Sequence, residues 1–161
     1  MTAWIHETAV VLGNVTLGHD VSVWPSAVIR ADVDRIVIGD RTNVQDGVVI
    51  HCDAGIPTII GNDCVLGHRA IVHGSTLEDA VLVGMGAILL NGTRVGTGSI
   101  IGAGAVCTEN AVFPPNSLVL GVPGKVVKTL GPESAERTRD NASRYALLKE
   151  QYRANEIPRT R

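Results

Sequence analysis

The chain has 161 residues, 45% hydrophobic and 19% charged, with 14 Lys and Arg against 16 Asp and Glu for a formal net charge of -2. That length supports one domain with a sizeable core, and the missing basic excess argues against a nucleic-acid partner, because phosphate binding needs Lys and Arg in surplus. Aromatics make up only 3% while Gly reaches 18, so the interior must be thin, aliphatic and repetitive.

The first residues, Met1 to Glu7, show neither a basic start nor a long apolar run. The most apolar stretch, 80–90, carries two glycines and is half the ~20 residues a membrane span needs. Cys52, Cys64 and Cys107 are odd in number and unpaired in spacing, which argues against a disulfide framework. The expectation is a cytoplasmic protein with no membrane partner.

From residue 10 to about 122 the text repeats. An aliphatic residue falls at 17, 23 and 29, at 38, 44 and 50, at 60, 66 and 72, and then at 77, 83, 89, 95 and 101. Gly commonly follows it, and a small residue stands four places on, as at Ala27, Ala70, Ala87 and Ala105. Period six is neither an amphipathic helix nor an alternating strand, and a six-residue unit cannot bury its own face. Three units make a triangular coil, and coils stack as parallel strands about 4.8 Å apart. The expectation is an all-β domain over 1–124, a parallel β-helix of hexapeptide repeats.

Val122-Pro123-Gly124 ends the repeats with two breakers. The tail, 125–161, carries nine basic and five acidic residues against five and eleven in 1–124, which suits a segment folded back onto an acidic body. It reads as a linker and an α-helix over 133–156. Ala135, Thr138, Ala142, Tyr145, Leu148 and Tyr152 form the face packed alongside the prism.

The repeat register also places chemistry. Counting three units per coil stacks Arg30, His51 and His73 in one column, across an irregular insertion at 53–58. His68 falls on a neighbouring face, with Asp46 beneath it and Gln45 beside it. Two half-sites on adjacent faces suit a homotrimer, in which one chain's 51/73 column meets the next chain's 45/46/68 column. Three converging His with an open fourth position make a zinc arrangement, and Fe²⁺ or Co²⁺ would suit the same ligands.

Arg30-Ala31-Asp32, Asn43-Val44-Gln45-Asp46, His51, His68 and His73 together resemble the γ-class carbonic anhydrases, a family of left-handed β-helix proteins. The resemblance implies reversible hydration of CO₂ to bicarbonate at a trimer interface. It also implies His51, His68 and His73 as metal ligands, with His68 supplied across the interface. Arg30 and Asp32 match an intersubunit ionic pair, Gln45 a group hydrogen-bonding near the metal's water, and Asn43 and Asp46 conserved neighbours. Tyr145, on the inner helix face, is a further polar candidate near the metal.

Two departures mark the short-loop branch of that family. Val33 follows Asp32 where the best-established anhydrases carry a Glu, and the insertion after His51 lacks the Glu that shuttles protons. A metal-dependent CoA-thioester hydrolase, a hexapeptide acyltransferase and a catalytically weak trimeric binding or assembly module are the competing readings.

Overall fold

A computed structural model describes residues 2–158 and 160. Short strands follow one another around a triangular prism and pair almost wholly in parallel with the coils above and below. One wall carries Trp4–Ile5, Ser22–Val23, Asn43–Val44, Val65–Leu66, Leu82–Val83, Ile100–Ile101 and Ser117–Leu120. The other two walls form one ten-stranded sheet, because Val28–Ile38 is an eleven-residue strand that runs from one wall to the next.

The period-six aliphatics line the interior in three columns, set by the strand register. Val23, Val44, Leu66, Val83, Ile101 and Val119 stack on the first wall. Ile29, Ile50, Val72, Leu89 and Cys107 stack on the second. Leu17, Ile38, Ile60, Leu77, Val95 and Phe113 stack on the third. All but Leu17 are buried. At a transfer value of ~25 cal/mol per Å², each fully buried Ile, Leu or Val contributes roughly 1.5–3 kcal/mol, and these columns dominate the core.

The glycine after the aliphatic has a steric cause. A Cβ on Gly84 would lie 2.5 Å from the Ala103 backbone nitrogen and 2.8 Å from the Ile101 carbonyl oxygen, so a side chain there would pry the coils apart.

The tail differs in part from the sequence expectation. Lys125–Thr129, expected as a linker, is a strand that turns back antiparallel onto Ser117–Leu120 and closes the top of the first wall. The helix then runs from Glu133 to Arg153, three residues shorter than expected, and packs on the first wall against Ser22–Val23, Asn43–Val44 and Val65–Leu66. Ser134 Oγ donates to the Gly98 carbonyl at 2.9 Å and anchors the first turn. Ala135, Thr138 and Ala142 are buried on the expected face, while Tyr145, Leu148 and Tyr152 are half-buried.

Lys149, which the apolar pattern leaves out, is fully buried. Its Nζ donates to Asp20 Oδ1 at 3.0 Å and also pairs with Glu150. The hydrogen bond from Lys149 holds the Asp20 carboxyl below its usual 3.8. The stabilisation is therefore complete above the unfolded value near ~3.9 and is lost as pH falls through the lower folded value. Replacing Asp20 by Asn leaves a buried ammonium short of a charged partner, an expected loss of about 1–3 kcal/mol at neutral pH. Urea unfolding at neutral pH and again below pH ~4 checks this, because the wild-type advantage must shrink in acid.

Candidate metal centre

On the second wall Ile29, Ile50 and Val72 point inward in register, so the residues that follow them, Arg30, His51 and His73, turn outward. His51 and His73 are direct register partners. Their rings lie 5.0 Å apart, and His51 Nδ1 stands 2.9 Å from His73 Nε2. Arg30 shares the column, but its guanidinium pairs with Asp32. Asp32 sits close because Val28–Ile38 continues past the corner of its coil. Its Oδ1 accepts from His51 Nε2 at 2.9 Å. That contact, with the Arg30 pair adding to it, holds the Asp32 carboxyl below the usual carboxylate range.

The second group lies on the first wall. Val44 registers with Leu66, which carries Asp46 beneath His68. His68 Nδ1 is 2.9 Å from Asp46 Oδ2, and the Arg69 backbone N–H donates to the Asp46 carbonyl at 2.9 Å. Asn43 and Gln45 are buried beside them, Gln45 Nε2 donating to Asn43 Oδ1 at 3.0 Å. Tyr145 belongs to this side. Its ring meets Trp24 edge-on at 5.2 Å, and burial, with the Asp46 charge adding to it, pushes its phenol up.

His51 and His73 thus come together, whereas His68 stays outside their cluster. Among the described residues, the ligand atoms that gather within 4.8 Å of one another belong to His51, His73 and Asp53. Asp53 Oδ1 lies 4.0 Å from His73 Nε2, and its other oxygen accepts from Asn91 Nδ2 at 2.7 Å. Asn91 Oδ1 in turn is 2.7 Å from His73 Nδ1. Sequence reasoning placed neither Asp53 nor Asn91 in the site. Carrying the coil count one step past His73 gives Leu90, since Val72 registers with Leu89, and Asn91 is the next residue, one place beyond the column. Asp53 sits in the insertion, where the count fails.

The donor set fits a cation. His51 Nε2 faces a carboxylate oxygen, and His73 Nδ1 faces an amide oxygen. Both oxygens accept only, so the neutral rings keep their protons on those nitrogens. His51 Nδ1 and His73 Nε2 are then two lone pairs directed at each other, an arrangement that positive charge between them relieves. His68 repeats the pattern with Asp46. An oxygen partner behind each ring is the usual second shell of metal-binding His. Cys52, next to His51, is buried, which raises its thiol pKa and disfavours the thiolate a metal would need. Burial likewise pushes Cys64 up to about 12 and Cys107 up to about 11.

Half of each His68 and Asp46 side chain is open, and His51 keeps 16% exposure. A groove of about 720 Å³ does exist, but it is lined by Trp4, His6, Tyr152, Arg153 and Ile157 at the first coil, away from these residues.

A family model described as the hexapeptide repeat of succinyl-transferase matches residues 57–91 and 76–109. A mitochondrial protein of Arabidopsis thaliana named gamma carbonic anhydrase 1 is 33% identical over 94% of this chain and 58% of its own length. A Methanocaldococcus jannaschii protein named probable carbonic anhydrase is 53% identical over 91% of this chain and 92% of that one. The chain belongs to the γ-class carbonic anhydrase family. The left-handed β-helix of this family also serves transferases. A crystal structure from Anaplasma phagocytophilum, described as a hexapeptide transferase family protein, superposes with a TM-score of 0.82 at 31% identity, over 93% of this chain and 92% of that one. Among the described residues of this chain, no helix is long and apolar enough to cross a membrane.

Proposed function

We propose that this protein hydrates CO₂ reversibly to bicarbonate at a metal held by His51 and His73 of one chain and His68 of its neighbour in a homotrimer. The observation that carries the reading is the set of three His, each backed by an oxygen: Asp32 behind His51, Asn91 behind His73 and Asp46 behind His68. A general base for acyl transfer needs only one such ring, so the transferase reading leaves two of them unexplained. The bound ion, Zn²⁺ or alternatively Fe²⁺ or Co²⁺, acidifies water to a pKa near ~7 and so supplies a nucleophile at neutral pH.

The chain's own residues do the rest. Asp32 and Asp46 orient their rings and add negative charge behind them. Gln45, held by Asn43, keeps its carbonyl oxygen free to accept a hydrogen bond from the reacting water. Tyr145 supports that half-site from the helix. The second wall supplies the surface for a neighbour. Val10, Val28, Val49, Ile71, Ile88 and Val106 stand in register outside five successive strand pairs, forming an apolar ladder beside the His column. Val10, Val49 and Ile71 remain exposed, and a ladder of this kind is expected to seek cover.

Stopped-flow CO₂ hydration tests the proposal on protein loaded in turn with Zn²⁺, Fe²⁺ and Co²⁺. Activity must depend on metal and fall at least about 10³-fold in His68→Ala, the loss of one of three ligands to the ion. With no Glu in the insertion, proton transfer limits turnover, and imidazole buffer should raise the rate. Metal binding without hydration in any form would send the protein to CoA-thioester substrates.

A further inference from the structure

Asn91 has no part in the family resemblance, yet it makes the tightest polar contact to the His pair. Its side chain is a bridge. Nδ2 donates to Asp53 Oδ2 at 2.7 Å, and Oδ1 lies 2.7 Å from His73 Nδ1. The Asp53 contact decides which way the amide faces, because a carboxylate can only accept. The amide oxygen must then face His73, and an oxygen there requires the ring proton on Nδ1.

The backbone is shaped around this bridge. A Cβ on Gly74 would fall 2.2 Å from Asn91 Oδ1 and 2.9 Å from Ile56 Cγ2, and Gly74 has φ +53°. A residue with a side chain would occupy the place of the amide. The insertion that brings Asp53 is itself a tight turn. Asp53 and Ile56 form an isolated antiparallel bridge, and the Gly55 N–H donates to Asp34 Oδ2 at 2.9 Å. The short insertion after His51 thus delivers a carboxylate to the back of Asn91, 38 residues away in sequence.

We propose that Asn91, clamped by Asp53, is a positioning residue that holds His73 in its Nδ1–H tautomer and so presents the Nε2 lone pair to the site. This deepens the metal reading above and rests on it for function, but the tautomer itself belongs to the chain without metal. Without such a partner, a neutral imidazole in water favours the Nε2–H form, whose proton would occupy the ligand position.

Two measurements on the full-length chain test this, on wild type, Asn91→Ala and a swapped pair, Asn91→Asp with Asp53→Asn, which exchanges the amide and the carboxylate. Imidazole ¹⁵N–¹H correlation spectra of metal-stripped protein, taken about 1.5 pH units above the ordinary His value of ~6.5, read the tautomer of each ring. His73 should be Nδ1–H in wild type and in the swapped pair, which keeps an acceptor facing the ring and a donor from residue 53 facing that acceptor, and Nε2–H in Asn91→Ala. His51, whose Nε2 faces Asp32, should stay unchanged in all three and so reports an intact fold. Competition with a chromophoric chelator then gives zinc affinity, expected to fall about 10–100-fold in Asn91→Ala and to be largely kept in the swapped pair. An Nδ1–H ring at His73 in Asn91→Ala would overturn the proposal, as would equal zinc affinity in Asn91→Ala and wild type. Wild-type protein that binds no zinc while His73 switches tautomer as expected would sink the metal reading and leave the Asn91 assignment standing.

Discussion

Co-expressed His51→Ala and His68→Ala chains, each inactive alone, should recover about a quarter of wild-type CO₂ hydration per trimer. The fraction follows from the geometry. A site needs the His51/His73 column from one chain and His68 from the next. In a random equal mixture, half of the columns are intact, and half of those meet a neighbour with an intact His68. Native mass spectrometry of the mixture confirms that the chains have mixed. If mixed trimers stay at the level of the parents, the site does not cross the interface, and the His51/His73/Asp53 cluster within one chain becomes the centre to test.

The basis of this experiment was legible in the sequence because a hexapeptide solenoid turns spacing into position. Once Ile50 and Val72 are recognised as equivalent inward residues, the positions of His51 and His73 follow, and the structure pairs them directly. The same count set Asp46 beneath His68. What escaped lies where the period breaks. Asp53 comes from the insertion, whose path depends on a turn at Gly55 that no repeat specifies. Asn91 reaches the site only because Gly74 leaves room, a steric condition that shows up only in three dimensions. Lys149 was invisible for a different reason. Its burial depends on Asp20, 129 residues away, and a charged residue on a helix reads as exposed until its partner is found. Lys125–Thr129 read as a linker because breakers precede it and its burial pattern, exposed throughout, gives no alternation to recognise.

Replacing Trp24 by Ala should cost about 3–5 kcal/mol of unfolding free energy, the range for removing a large aromatic from a core. Trp24 is 3% exposed and joins the two parts of the chain. Its ring meets Trp4 of the first coil at 5.0 Å and the helix residues Tyr145 and Tyr152 at 5.2 and 5.1 Å, each edge to face or nearly so. Its Nε1 donates to Ser22 Oγ at 3.0 Å, and its backbone N–H donates to the Val44 carbonyl at 2.9 Å. The β-helix columns do not pass through Trp24, so the prism should survive while the helix loosens. Loss of near-ultraviolet circular dichroism with strand signal retained would show this, together with a lower urea midpoint. Trp24→Phe keeps the edge contacts, gives up only the Ser22 bond and some area, and should lose less than half as much. Hydration should weaken in Trp24→Ala as well, because Tyr145 and the buried Gln45–Asn43 pair lie against the same wall. If stability falls but hydration per folded trimer is unchanged, Tyr145 has no part in the site and its role is packing alone.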